Sequence, residues 1–184
     1  MQLVTWIAWT ILVVGFASKS GTQELRWREF SSKGGEYAVS FPCRPKITSE
    51  DIEITPELHR PLWKTVCGLP HEDHAFFVGH IEIPEEIELD EELTQEMLDA
   101  GVENVAAEAG NTILRVTPTS FRGFPAREVE ARSGQHALHM HLFVANQRFY
   151  TLVFGRAPGS TPDERARFFD SFRLTTPSPT PPSP

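Results

Sequence analysis

A chain of 184 residues has room for one domain of ordinary size plus tails. Hydrophobic residues at 40% and charged residues at 23%, with 13 Phe and 4 Trp, supply a packed core and exclude disorder of the whole chain. The formal net charge of -8 is concentrated: 11 acidic residues and no Lys or Arg lie between Glu82 and Glu108, leaving 14 acidic against 17 basic residues elsewhere, which disfavours non-specific nucleic-acid binding.

From Leu3 to Ala17 the run "LVTWIAWTILVVGFA" carries no charge and is followed by the small, polar "SKSGTQ". A bilayer span needs about 20 apolar residues, so this run fits a signal-peptide core, with cleavage after Ala17 or, second, after Ser20. Met1 and Gln2 bring no Lys or Arg, and an uncleaved anchor, a membrane tether, is the alternative. Export bears on Cys43 and Cys67, the 2 cysteines of the chain. An even number in an exported chain favours one disulfide; two buried free thiols are the other reading.

The segment "LRWREF" supplies a first strand or edge through Leu25 and Trp27. In "FSSKGGEYAVSFPCRP" Tyr37, Val39 and Phe41 alternate with Ala38 and Ser40, which predicts a strand after the Gly34-Gly35 turn and before Pro42 and Pro45. "PLWKTVCGL" predicts another. "HAFFVGHIEIP" predicts a longer one, with Phe77, Ile81 and Ile83 on one face and Phe76, Val78 and His80 on the other. A helix follows: Asp90 is its N-cap, Glu91 and Glu92 complement the dipole, and Gly110-Asn111 stops it. Leu98, Val102, Val105 and Ala109 form its apolar stripe.

Beyond it, "TILRVTPTSF" reads as a strand broken near Pro118, "FPAREVEARSG" as a strand ending in a turn, and "QHALHMHLFVANQ" with "RFYTLVFGRAP" as a meander joined at Asn146-Gln147. A second helix begins with a capping box at Thr161, Pro162 and Glu164 and buries Phe168, Phe169 and Phe172. The closing "TTPSPTPPSP" is a solvated, Pro-rich extended tail. This order of elements predicts an α+β fold, an antiparallel sheet of about six or seven strands covered by two helices.

Four stretches, "WREFSSKGGEYAVSFPCRP", "GFPAREVEA", "RFYTLVFG" and "FFDSFRL", resemble PsbP-like domains and related exported bacterial proteins of unknown function. The resemblance runs from Trp27 to Leu174. It implies an α/β/α sandwich over 25–175, between a signal peptide or anchor at 1–20 and a disordered tail at 176–184. It implies no catalytic residues and a role as an extrinsic assembly or binding protein; no link to photosynthesis is carried over.

Three histidines in "HALHMHLF" raise a separate question. Alternation places His136 with Leu138, Met140 and Leu142, and His139 and His141 with Phe143 on the opposite face. His139 and His141 thus form an H-x-H pair able to offer two imidazoles to zinc or copper, with His80 as the natural third ligand and Glu128 or Glu130 as others. Ordinary half-buried strand histidines are the simpler reading. His71 and His74, in "LPHEDHAFF", make a second pair with Glu72 and Asp73 between them that could offer ligands, but beside Pro70 they read more simply as loop residues; the acidic helix lacks a calcium loop.

Arg115, Arg122, Arg127, Arg132 and Arg148 allow a positive surface, against the simpler reading of cross-strand ion pairs in "AREVEAR". No G-x-S-x-G, H-E-x-x-H or glycine-rich phosphate loop occurs. The leading expectation is therefore an exported non-enzymatic domain, without a cofactor, that binds a protein partner at or near the cell envelope. The alternative is a zinc- or copper-binding protein using His139 and His141.

Overall fold

The computed structural model describes residues 26–34, 36–55, 58–69, 74–157 and 163–175. The expected signal segment, the Pro-rich tail, Leu25, His71 and the Thr161 cap lie outside them. The strands are β1 (Arg28–Ser31), β2 (Tyr37–Phe41), β3 (Lys46–Thr55), β4 (Leu58–Leu69), β5 (His74–Glu82), β6 (Asn111–Phe121), β7 (Phe124–Ser133), β8 (His136–Ala145), β9 (Arg148–Arg156) and β10 (Arg173–Leu174), and the helices are α1 (Glu91–Ala107) and α2 (Asp163–Ser171).

Seven strands form one sheet in the order β3-β4-β5-β9-β8-β7-β6, and β1-β2-β10 form a second, small sheet. Every recorded pairing is antiparallel. The fold is α+β, as the order of elements predicts. The main sheet has a helix on each face: α1 covers one, and α2 together with the small sheet covers the other.

On the α1 face, Leu98 and Val105 pack with Val129, Leu138, Met140, Leu142, Val144, Phe149 and Val153. Burying Leu98 fully stabilises this layer by about 1.5–3 kcal/mol. Gly101 permits the close approach, because a Cβ there would stand 2.6 Å from the Phe149 ring. Asp90 caps the helix by accepting a hydrogen bond from the Leu93 amide at 2.7 Å. At the far end Gly110 turns the chain with φ +89°; Ala109, placed on the stripe by periodicity, is exposed beyond the last turn.

On the α2 face the core is aromatic: Tyr37, Phe41, Phe76, Phe143, Tyr150, Phe154, Phe168 and Phe172 are all buried. Three hydrogen bonds at its C-terminal end also fasten α2. Ser171 Oγ accepts from the Ser40 amide at 2.9 Å, and the Arg122 guanidinium donates to the Phe169 and Asp170 carbonyls at 2.9 and 2.6 Å. The latter satisfies carbonyls that a helix C-terminus leaves unpaired.

Four features depart from the sequence reading. β1 begins at Arg28, so Trp27 precedes it and packs edge-on to Phe76. "YAVSF" belongs to the small sheet. β3 is a strand that the sequence reading lacks. β6 runs through Pro118 unbroken, opposite Arg127, because β6 is an edge strand and the missing N–H can face outward. The β8–β9 meander does turn at Asn146 and Gln147, both at positive φ (50° and 54°), as a tight hairpin requires.

Cys43 and Cys67 form a disulfide with a Cα separation of 5.8 Å, tying the end of β2 to β4 and closing a sequence separation of 24. Replacing both by Ser is expected to lower the unfolding free energy by about 3 kcal/mol. Equilibrium urea unfolding checks this; a midpoint unchanged from the oxidised protein contradicts it.

Candidate functional site

Cross-strand register arranges the α2 face as a grid. One row runs Trp63, His80, Tyr150, Phe143 and Ala126, and the next runs Thr65, Val78, Leu152, His141 and Glu128. A third runs Cys67, Phe76, Phe154, His139 and Glu130. Adjacent strands stand about 4.8 Å apart. His80 is thus on the face shared by His139 and His141, but two strands away.

The Tyr150 ring fills the gap. His80 stacks on Tyr150 at 5.8 Å, and Tyr150 stacks on Phe143 at 5.0 Å. His141 lies between Phe121 (4.6 Å) and Phe169 (4.7 Å). His139 Nδ1 lies 3.1 Å from Arg165 Nη1. A guanidinium only donates, so this nitrogen is the acceptor and the imidazole proton sits on Nε2.

The structure therefore does not bring His80, His139 and His141 together. Among the described residues no three His, Cys, Asp or Glu side chains group to hold a metal ion. Glu128 and Glu130 do stand in register with His141 and His139.

His74 is no loop residue. It opens β5, and its Nδ1 meets Glu164 Oε2 of α2 at 2.6 Å, with side chains 4% and 18% exposed. Its ring also packs on Phe154 at 5.7 Å. Glu164 and Arg165, consecutive in α2, thus reach histidines on the two strands flanking β9. The predicted capping-box position of Glu164 gave no sign of this role.

The arginines do not form one surface. Arg127 lies on the α1 face, 8% exposed, and binds Asp99 at 2.9 and 2.7 Å through Nε and Nη2. Arg122 caps α2, and Arg148 pairs with Glu82 at 3.0 Å. Arg115 approaches Glu130 at 3.9 Å across the β6–β7 pair, a link of the cross-strand kind expected around "AREVEAR".

Titration in this layer follows burial. Desolvation holds His80, His139 and His141 below the usual imidazole value; Arg165 adds to this at His139, whereas Glu36 opposes it at His80 and Glu128 at His141. Burial pushes Tyr37 up to about 12 and raises Tyr150 as well. Burial also works to raise Glu36, but the bond from Ser32 Oγ and its own backbone amide outweigh it and hold the carboxyl low.

These three depressed imidazoles give a pH dependence. Between the unfolded value near 6.5 and their lower folded values, the unfolded chain binds more protons. Their contribution is therefore complete above about pH 6.5 and is lost as pH falls below it. Urea midpoints between pH 7.5 and 5 should fall more steeply for the wild type than for His141→Gln. Equal slopes contradict this.

One further feature had no counterpart in the sequence reading. Trp63 and Ile47 are diagonal neighbours on the α2 face, 41% and 46% exposed, just outside the cover of the small sheet. Trp63 lay within the predicted strand "PLWKTVCGL", but its neighbour Ile47 belongs to β3, whose scattered isoleucines give little alternation to read.

No protein-family model and no curated protein matches the sequence. The chain is similar to the solution structure of cyanobacterial PsbP from Synechocystis sp. PCC 6803, with 14% identity over 86% of this chain and 98% of that one, and a TM-score of 0.48. The α+β assignment rests on the chain's own strands and helices.

Proposed function

We propose that this chain is an exported, non-catalytic domain that binds a protein partner at or near the cell envelope. The observation that carries the reading is the Trp63–Ile47 pair, neighbouring large apolar side chains left uncovered on the α2 face and including the one exposed Trp among the described residues; Leu114 and Val116 of β6 and Val66 of β4 are exposed as well. Exposed aromatic residues of this kind anchor protein interfaces.

The titratable groups of the α2 face support it too. His74 binds Glu164, His139 binds Arg165, Tyr37 Oη donates to Thr65 at 2.8 Å, and His141 is sandwiched by rings. Each serves to fasten one layer to another. Export is supported by the uncharged run from Leu3 to Ala17 and by the Cys43–Cys67 bridge, which persists in oxidising compartments.

The test is photo-cross-linking in the native cells, with a benzophenone side chain at position 63 and, as control, at exposed position 103 on α1. A discrete adduct from 63 that is absent from 103, in protein accessible to external protease once the envelope is opened, is expected. No adduct from 63, or protein that stays protected with the cytoplasm, sinks the reading.

A further inference from the structure

The sheet ends differently at its two edges. β6 contains Pro118 and a register shift between Ile113 and Arg115, features that spoil an edge for pairing. β3 lies at the other end of the order; it has its own register shift between Glu53 and Thr55, but its pairing with β4 is regular over the eight residues Lys46 to Glu53, without proline, and residues 46–51 are all exposed. Such an edge is a template for one more strand.

The side chains beside it state what that strand must carry. On the α2 face β3 presents Ile47, Ser49, Asp51 and Glu53 in sequence, apolar at one end and acidic at the other. The grid positions around Trp63 hold Ile47, Ser49, Asp51, Pro61, Thr65, Val78, His80 and Glu82, two carboxylates and no Lys or Arg. Arg148 pairs with Glu82, whereas Lys64 is turned to Glu50 on the α1 face, where Lys46 and Arg60 also stand by their register with Val66 and Ile52.

Resting on the binding reading and deepening it, we infer that the partner contributes an extended basic segment that adds to the free edge of β3. Its cationic side chains stand opposite Asp51 and Glu53, and an apolar one lies beside Ile47, which itself is the diagonal neighbour of Trp63. Charge complementarity selects this occupant. A second copy pairing β3 with β3 brings two strands of the same acidic charge together, and in the register that pairs residues 51–53 it sets Asp51 against Glu53. The chain's own C-terminal run has prolines at 177, 179, 181, 182 and 184, which lack the N–H a ladder needs.

An antiparallel added strand places its residues 1, 3, 5 and 7 against Glu53, Asp51, Ser49 and Ile47. The probe is therefore the peptide acetyl-KTKTSTV-amide, titrated into the isotope-labelled full chain at low ionic strength, with acetyl-ETETSTV-amide as control. Saturable shifts of the amides of residues 46–53 and of the Trp63 indole are expected with the first peptide alone, weakened about tenfold or more by Asp51→Lys with Glu53→Lys. Trp63→Ala, at an exposed position, should weaken binding while leaving the fold's spectrum intact.

No shift along β3, equal shifts from the acidic peptide, shifts confined to β6, or concentration-dependent dimers that protect β3 without peptide would each overturn the inference. If any of these occurs while the position-63 adduct persists, the binding reading stands and edge addition is wrong. Loss of the adduct itself removes the binding reading.

Discussion

Phe172→Ala is expected to lower the unfolding free energy by about 3–5 kcal/mol, the range for truncating a buried Phe. Phe172 is 1% exposed and sits between the end of α2 and β10. Its ring stacks on Tyr37 of the small sheet at 5.5 Å and meets Phe143 and Tyr150 of the main sheet at 5.6 and 6.0 Å. It thus joins all three elements on this face, and the surrounding rings cannot collapse into its volume without giving up their own contacts. Urea unfolding measures the loss; a change below about 1 kcal/mol would show that the three layers are held together elsewhere.

The second large effect concerns a polar contact between layers. Glu164→Gln and His74→Gln each replace one partner of the 2.6 Å contact between a buried imidazole and a largely covered carboxylate. Leaving a buried polar group without its partner costs about 1–3 kcal/mol. The double variant should cost clearly less than the sum of the singles, since it leaves neither partner unmatched. Additive losses in a double-mutant cycle would mean that the contact does not couple α2 to β5.

How far the sequence carried these conclusions differs from element to element. Alternation alone sorted β5 and β8 correctly into faces, since side-chain period two leaves no freedom once a strand is chosen. α1 was legible from Asp90 at one end and Gly110 at the other, because caps are local chemistry. β3 was missed because its Ile residues are diluted by Ser, Glu and Asp; an edge strand exposed on most sides has little apolar pattern to show. Pro118 misled for a related reason: its cost depends on which side of the strand lacks a neighbour, and sheet order is a long-range property.

The site followed the same division. That His80, His139 and His141 share a face was readable; that Tyr150 separates them was not, because strand order β5-β9-β8 cannot be taken from local spacing. His74 looked like a loop residue beside Pro70, and tertiary contacts with Phe154 and Glu164, both distant in sequence, bury it. The Arg127–Asp99 pair shows the same limit, since "AREVEAR" placed its arginine among cross-strand partners while the packed α1 supplied the carboxylate.

Amide hydrogen exchange of the protein alone and in its photo-cross-linked complex shows whether a partner strand adds to β3. Amides within Lys46–Glu53 of β3 are expected to exchange markedly more slowly in the complex, while those of β6, Asn111–Phe121, stay unchanged. Unchanged β3 amides, or protection that appears on β6 instead, would contradict strand addition to β3.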